Sequence, residues 1–279
     1  ILIHCPDQSG IICAVTGFIH SQRGNIIYID QHVDEASGEL FMRLESEFSD
    51  NTFILSNFKL KFDDILTKKY KIKWSIHTNE INPKMALFVS KYNHCLYDLL
   101  SRFNSGELAV DIPFIISNHK DLEFVAEQFK IPFYHIPVTK STKLEAENQQ
   151  LKLLKEYHID FIVLARYMQI ITSNIIDQYP NKIINIHHSF LPAFAGAKPY
   201  HAAFKRGVKI IGATGHYVTE ELDAGPIIEQ DTTRVTHTNT IEDFVAKGRD
   251  LEKIVLSRAV KLHLQRKTMV YNNKTVIFS

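Results

Sequence analysis

The chain has 279 residues, of which 45% are hydrophobic and 23% are charged, and 32 basic side chains nearly balance 31 acidic ones to give a net charge of +1. This composition excludes an intrinsically disordered chain, which would combine few apolar residues with a large net charge. The near-neutral balance also argues against a nucleic-acid partner, because a broad binding face for one needs clustered lysine and arginine. A chain of this length has room for one large domain or two.

The number and spacing of the cysteines and the lengths of the apolar runs indicate the cellular compartment. Three scattered cysteines, none in a Cys-x-x-Cys pair, do not form a disulfide framework, which fits a reducing cytoplasm. The longest apolar runs, such as residues 85–89 and 161–165, are far shorter than the ~20 residues that span a bilayer. At its start the sequence does not show the basic segment followed by an apolar segment that is typical of a secretory signal peptide. We therefore expect a cytoplasmic protein with no membrane partner.

Residues 1–77 predict a small α/β unit of order βαββαβ, the split arrangement of ferredoxin-like folds. Alternating and helical apolar periods place its elements at strand 1–5, helix 11–22, strands 25–33 and 39–47, helix 53–66 and strand 71–77. Asp7 or Ser9 is the expected N-cap of the first helix, and Gly24 is expected to end that helix.

Residues 78–83 are polar and end in proline, which is typical of a linker. From residue 84 to residue 279, short apolar strands alternate with helices. This alternation predicts βαβ units and a mostly parallel sheet that is covered on both faces. Strands are expected at 85–89, 111–116, 132–137, 161–165, 183–187, 209–218 and 227–234, helices at 94–104, 121–129, 141–158 and 240–265, and a terminal hairpin at 267–278.

One predicted strand ends in a cluster of amide, imidazole and hydroxyl groups. Asn185 and His187 lie two residues apart, so their side chains project from the same side of an extended strand. Ligands of open parallel sheets bind beyond such strand ends. An amide beside an imidazole suits a reaction that builds negative charge on a carbonyl oxygen, since both groups donate hydrogen bonds and the imidazole also transfers protons. Ordinary polar residues at a strand end would give the same pattern, so both interpretations stay open here.

A second polar cluster surrounds Asp223, which precedes Ala224, Gly225 and Pro226. Such a turn can direct a carboxylate back toward the sheet, where it would stabilise the imidazolium of a nearby histidine and hold a water molecule. A solvated acidic loop is the alternative interpretation of these residues.

Other catalytic patterns are absent from the sequence. Although the chain has 14 histidines, no pair of them has a recognisable metal-ligand spacing, so we expect no metal. The chain also contains no Gly-x-Ser-x-Gly elbow, no Gly-x-Gly-x-x-Gly loop and no Walker loop. A serine hydrolase of that type and a site for a dinucleotide or ATP therefore have no support.

Three motifs carry a family resemblance: Asn185-Ile186-His187 with Ser189 and Leu191-Pro192, then Leu222 to Pro226, and the stretch 164–171. Together they resemble the formyltransferase fold that uses 10-formyltetrahydrofolate, over roughly residues 84–266. That family includes glycinamide ribonucleotide formyltransferase and methionyl-tRNA formyltransferase. The resemblance implies a catalytic trio of Asn185, His187 and Asp223. It also implies a folate pocket with two walls, formed by Met168, Gln169, Ile170 and Ile171 and by Val218, Thr219, Glu220 and Leu222.

Further features are similar to the hydrolase branch of that family, the deformylases. Asp7-x-x-Gly10-Ile11 within the βαββαβ unit resembles an ACT domain, a small amino-acid-sensing module that the ribonucleotide transferases lack. Bulky residues over 89–96 stand where those transferases have a phosphate loop of small residues. The run from His187 to Pro192 and on through residues 196–201 looks like the deformylase form of the loop, because transferases usually carry proline in place of His188. Departures from the pattern are Ala195, Ala202 and Gly215.

The resemblance implies hydrolysis of 10-formyltetrahydrofolate to formate and tetrahydrofolate, as part of one-carbon and purine metabolism. Asp223 would hold the water while Asn185 and His187 stabilise the oxyanion, without a cofactor or a metal. The alternatives are formyl transfer to an amine such as glycinamide ribonucleotide, and a non-enzymatic amino-acid-sensing scaffold. Because ACT domains usually pair around amino-acid ligands, we expect a homo-oligomer with glycine or methionine as effector at Asp7, Gln8, Ser9, Gly10 and Ile11.

Overall fold

A computed structural model of the chain describes residues 1–48, 53–193 and 199–279. The chain divides into two compact units, Ile1–Glu80 with Val276–Ser279, and Ile81–Thr275. The change from one unit to the other falls within residues 78–83, the segment with linker composition. None of the helices in the described ranges is long and apolar enough to cross a membrane.

The first unit is built on a four-stranded antiparallel sheet of order β2-β3-β1-β4, which confirms the ferredoxin-like prediction. Its elements are β1 (Leu2–Pro6), α1 (Ile11–Ser21), β2 (Gly24–Asp34), β3 (Glu39–Phe48), α2 (Leu55–Phe62), a π-helical turn (Asp63–Thr67), α3 (Lys68–Tyr70) and β4 (Lys73–Ser75). Alternate residues Leu40, Met42 and Leu44 of β3 join the core against which α1 and α2 pack. Phe41 and Arg43, on the opposite face, are buried as well, so this stretch of β3 is covered on both sides.

Both predicted ends of α1 are corrected by the structure. The N-cap is Gly10, at φ 90°, with no side-chain cap, so neither Asp7 nor Ser9 fills that position. At the other end the left-handed residue is Arg23, at φ 61°, and Gly24 already begins β2. Glycine is required at position 24 by close packing instead, because a Cβ there would lie 2.6 Å from the Phe48 ring.

The second unit is a seven-stranded sheet of order β11-β10-β9-β8-β5-β6-β7. Strands β5 to β9 run parallel, while β10 is antiparallel to both of its neighbours, which confirms the mostly parallel prediction. Its strands are β5 (Met85–Val89), β6 (Ile115–Ser117), β7 (Phe133–His135), β8 (Phe161–Leu164), β9 (Ile183–His187), β10 (Ile210–Tyr217) and β11 (Ile227–Arg234), and the terminal hairpin pairs β12 (Thr268–Tyr271) with β13 (Lys274–Ile277).

Helices cover both faces of this sheet and enclose two apolar clusters. They are α4 (His94–Asn104), α5 (Glu123–Gln128), α6 (Lys143–Glu156), α7 (Ser173–Ile176), α8 (Pro199–Arg206) and α9 (Ile241–Leu264). Helix α9 begins at a capping box, in which Asp243 N donates to Thr240 Oγ1 at 3.2 Å and Thr240 N donates to Asp243 Oδ2 at 2.8 Å. The short helices α7 and α8 are additions to the predicted elements, since four to eight residues show little periodicity.

Candidate active site

Strand β9 places Asn185 and His187 on the same side of the sheet, at its carboxyl end. Ile184 and Ile186, which alternate with them along the strand, belong to the apolar core. The loop after the parallel strand β8 adjoins the carboxyl end of β9, and Asp223, from the loop after the antiparallel strand β10, reaches His187 there. The alternation of polar and apolar residues along one buried strand therefore delivers an amide and an imidazole to one place.

His187 and Asp223 form the first contact of the site. His187 Nδ1 donates to Asp223 Oδ2 at 3.2 Å, with side chains that are 6% and 16% exposed. The hydrogen bond from His187 lowers the pKa of Asp223, so this carboxyl is ionised. His187 Nε2 is buried and has no hydrogen-bond partner in the described part of the chain. A buried ring nitrogen without a partner indicates a place for a ligand atom or a water.

His216, on β10, is the histidine that orients Asn185. Its Nδ1 donates to the carbonyl oxygen of Tyr217 at 2.9 Å, so the neutral ring accepts at Nε2 from Asn185 Nδ2 at 3.1 Å. Burial lowers the pKa of His216, against the opposing effect of Asp223, whose Oδ1 lies 3.8 Å from Nε2. One N–H of the Asn185 amide is thereby occupied, and the second stays available to a ligand.

The lowered pKa of His216 has a consequence for stability. Between its folded value and the ordinary 6.5, the unfolded chain binds more protons than the folded chain, so the free energy of unfolding decreases as pH falls below 6.5. We expect His216→Gln to reduce this slope in urea unfolding between about pH 7 and pH 5. His20→Gln, at an exposed position of α1, should keep the wild-type slope. Equal slopes in wild type and His216→Gln would contradict a buried neutral His216.

A single cavity of about 310 Å³ joins these groups to both predicted pocket walls. The structure brings together there the predicted trio of Asn185, His187 and Asp223. It also places all eight predicted substrate-binding residues along the cavity: Met168, Gln169, Ile170, Ile171, Val218, Thr219, Glu220 and Leu222. The lining residues outside that prediction are Leu164, Arg166, Tyr167, Ile186, His188 and His216.

The remaining predicted positions lie elsewhere. Asp7, Gln8, Ser9 and Gly10 form an exposed turn of the first unit, between β1 and α1, and Ile11 is buried at the start of α1. Ala195 and residues 196–198 of the deformylase-like loop lie outside the described residues. The described part of that loop contributes His188, which lines the cavity, and Tyr200, which lies in the first turn of α8.

The wall at 168–171 is held by polar groups that sequence reasoning missed. Ser90 Oγ, which follows β5, accepts from Met168 N at 3.0 Å and donates to Asn118 Oδ1 at 2.6 Å. From α6, Lys143 Nζ donates to Ile170 O at 2.6 Å and Glu147 Oε1 accepts from Thr172 N at 3.0 Å. These contacts fix the backbone of the wall, because its carbonyl and amide groups are bonded to side chains of neighbouring elements.

Gly225 controls the turn that carries Asp223, itself at φ 56°. A Cβ at Gly225 would lie 1.8 Å from the carbonyl oxygen of Tyr217, whose amide donates to Pro226 O at 2.9 Å. Gly225→Ala should therefore lower the free energy of unfolding by about 1–3 kcal/mol and lower kcat by displacing Asp223. Urea unfolding and steady-state rates would measure both. Gly17→Ala, where no atom lies within 4 Å of the added carbon, is the matched control and should not lower stability. Unchanged stability and rate in Gly225→Ala would contradict this account.

The fold and sequence both have known relatives. The signature of the formyl transferase family matches residues 83–260. A formyltetrahydrofolate deformylase from Synechocystis sp. is 51% identical over 285 residues, covering 100% of this chain and 98% of its own. The solved structure of a formyltetrahydrofolate deformylase from Pseudomonas syringae pv. tomato has a TM-score of 0.96 and 46% identity, covering 100% of this chain and 93% of that one. The chain belongs to the formyltetrahydrofolate deformylase family.

A transferase is similar over less of this deformylase-family chain. Phosphoribosylglycinamide formyltransferase from Anaplasma phagocytophilum has 30% identity and a TM-score of 0.65, and the likeness covers 71% of this chain and 95% of that one. The assignment to the hydrolase branch therefore rests on relatives that match the whole chain rather than one part of it.

A buried polar cluster beside the cavity completes this deformylase-family site. Glu252 of α9 accepts from Tyr200 Oη at 2.6 Å, and its other oxygen lies 2.8 Å from His94 Nε2 and 3.3 Å from Arg166 Nε. Burial raises the pKa of Glu252, but the hydrogen bond from His94 and the charge of Arg166 outweigh burial and lower it. The four residues are far apart in sequence, and no local pattern signals their meeting.

His94 and Glu252 of this cluster, together with Cys95, form the one grouping in the described ranges whose atoms are close enough to hold a metal ion. Its chemistry does not fit a cation. The guanidinium of Arg166 already pairs with Glu252, and burial raises the pKa of the Cys95 thiol well above its usual value, which disfavours the thiolate that metals prefer. We therefore interpret this grouping as an internal ion-pair cluster.

Proposed function

We propose that this chain hydrolyses 10-formyltetrahydrofolate to formate and tetrahydrofolate in the cavity that ends at the trio. The observation that carries the proposal is the meeting of Asn185, His187 and Asp223 at one cavity whose other walls are largely apolar. A flat pterin ring suits such walls, and it would place the formyl group near the polar end.

Each residue of the trio has a separate role in this reaction. Asp223 holds the attacking water and orients His187 through Nδ1. Water adds to the formyl carbon, and the oxyanion that forms accepts hydrogen bonds from the free N–H of Asn185 and from His187 Nε2–H once that nitrogen is protonated. The bond between carbon and N10 then breaks, its electron pair goes to N10, and N10 takes the proton that the water released through His187. Formic acid leaves and loses its own proton to solvent as formate.

The test is incubation with 10-formyltetrahydrofolate in H₂¹⁸O without any acceptor. We expect tetrahydrofolate and formate in equal amounts, with one ¹⁸O atom in each formate. Formyl loss that requires an added amine would instead establish the transferase alternative. A lack of folate binding in calorimetry would favour the non-enzymatic scaffold.

The first unit supports a second, regulatory proposal. The turn from Asp7 to Gly10 is exposed, and Gly10 has a left-handed conformation that leaves the N-terminal amides of α1 uncapped by side chains. We infer an amino-acid effector site there, with glycine or methionine as ligand, in a homo-oligomer. Titration with each amino acid should raise the melting temperature and change the rate, and both responses should be lost in Asp7→Ala. Absence of any response in the wild type would refute amino-acid sensing.

A further inference from the structure

Arg166 is the cavity-lining residue whose role the proposed reaction leaves open. It is the only residue with a permanent positive charge among the described residues that line the cavity. Its side chain is 9% exposed. A guanidinium buried to this extent is costly unless its charge is paired and its donors are hydrogen-bonded.

The hydrogen-bonding capacity of Arg166 is unfilled. Its Nε is buried and makes no hydrogen bond, although it lies 3.3 Å from Glu252 Oε2. Among the described residues no hydrogen bond from its other N–H groups is found, and Cζ of Arg166 lies over the Tyr92 ring, 5.1 Å from its centroid. Glu252 supplies an opposite charge, but it shares that charge with His94 and Tyr200. Nε of Arg166 is therefore a buried donor without an acceptor, and Glu252 balances the charge of the guanidinium without a hydrogen bond to Nε.

An acceptor bound by Arg166 would lie close to the trio. Leu164 at the end of β8 pairs with Asn185 of β9, and Arg166 and His187 each follow two residues beyond that pair. A series of side-chain contacts also connects His187 to Arg166. The rings of His187 and His188 are 5.1 Å apart, those of His188 and Tyr200 are 5.9 Å apart, and Tyr200 donates to Glu252, the partner of Arg166.

From this geometry we propose that Arg166 is a carboxylate-binding residue that holds formate as it forms beside the trio. The inference rests on the proposed hydrolysis. A guanidinium presents parallel N–H groups that match the two oxygens of a carboxylate, and formate is the smallest carboxylate and the one released at this end of the cavity. The Glu252 cluster keeps the guanidinium in place, and Tyr92 covers its face.

Product inhibition tests the proposal directly. Formate should inhibit the wild type, and Arg166→Met should raise the inhibition constant for formate by about tenfold or more, because hydrogen bonds to charged groups are lost. Arg166→Lys should fall between the two, since lysine keeps the charge but not the paired donors. Arg249→Met is the matched control. Arg249 also lies over Tyr92, at 5.6 Å, but it is exposed and does not line the cavity, so its removal should leave formate inhibition unchanged.

The glutamate tail of the folate is the other possible source of a carboxylate. If Arg166 held that tail, Arg166→Met would raise KM for 10-formyltetrahydrofolate, leave KM for 10-formyltetrahydropteroate unchanged, and leave formate inhibition as in the wild type. That outcome would overturn the proposal.

A direct measurement of formate binding to the wild-type protein tests the proposal without relying on catalysis or on the folding of a variant. ¹³C-formate should bind the wild-type protein saturably in NMR titration, and acetate should compete with it. A wild type that shows no saturable binding, or a folded Arg166→Met that binds formate as tightly, would refute the assignment of Arg166. A wild type that binds formate but releases none from 10-formyltetrahydrofolate would refute the proposed hydrolysis instead, so the two failures are distinguishable.

Discussion

Replacing Asp223 by asparagine should lower kcat by about 10²–10⁴-fold, with a much smaller change in KM. The carboxylate both accepts the His187 Nδ1 hydrogen bond and, in our proposal, holds the attacking water, so neutralising it weakens the imidazolium and the activation of the water. Asparagine is a suitable substitute because it tolerates the left-handed φ of 56° at this position, so the turn should keep its shape. Steady-state kinetics with 10-formyltetrahydrofolate would measure the effect.

The matched control for this variant is Glu221→Gln. Glu221 is an exposed acid in the same loop and does not line the cavity. Its neutralisation removes the same charge from nearly the same place, yet kcat should stay within about twofold of the wild type, as for most surface substitutions. Hydrolysis by Asp223→Asn at close to the wild-type rate would show that the water is held by another group.

Asn185→Ala should lower kcat by about 10²–10³-fold while folate binding is largely kept. The reason is that Asn185 lines the cavity and, in our proposal, its second N–H stabilises charge that exists only in the transition state. Calorimetry with tetrahydrofolate, which lacks the formyl group, would show whether binding survives. Asn174→Ala is a control, because Asn174 donates to Asn148 at 3.1 Å and does not line the cavity.

An equal loss of folate affinity and of kcat/KM in Asn185→Ala would contradict this role. It would mean that Asn185 contributes uniformly to binding the ground state and the transition state. A lower melting temperature would indicate a third possibility, namely that the variant disturbs His216, whose Nε2 loses its donor. The two measurements together separate these explanations.

Sequence patterns predicted the strands of the sheets and the placement of Asn185 and His187 on the same side of one strand. Both features depend on short periods along a single segment. Strand β9 alternates apolar and polar residues, and the polar ones necessarily share a side. The placement of Asp223 beside His187 depended on the resemblance of separated motifs, since no local rule relates residues that lie on different strands and loops.

The ends of α1 show where local rules fail. Glycine favours a left-handed helix end, but that conformation falls on Arg23, while Gly24 is required by the close approach of Phe48. The spatial requirement comes from a strand 24 residues further along the chain, so it is invisible to the local pattern.

By itself the sequence determined the order of the strands and of the longer helices, the ferredoxin-like and mostly parallel sheets, and the family to which its motifs belong. Only the tertiary structure decided which groups meet beside the cavity. His94, Arg166 and Glu252 come from α4, from the end of β8 and from α9, and they touch because α9 packs against the sheet with Glu252 buried at 1% exposure. Packing of distant segments sets such contacts, and the uncommitted donors of Arg166 follow from packing alone.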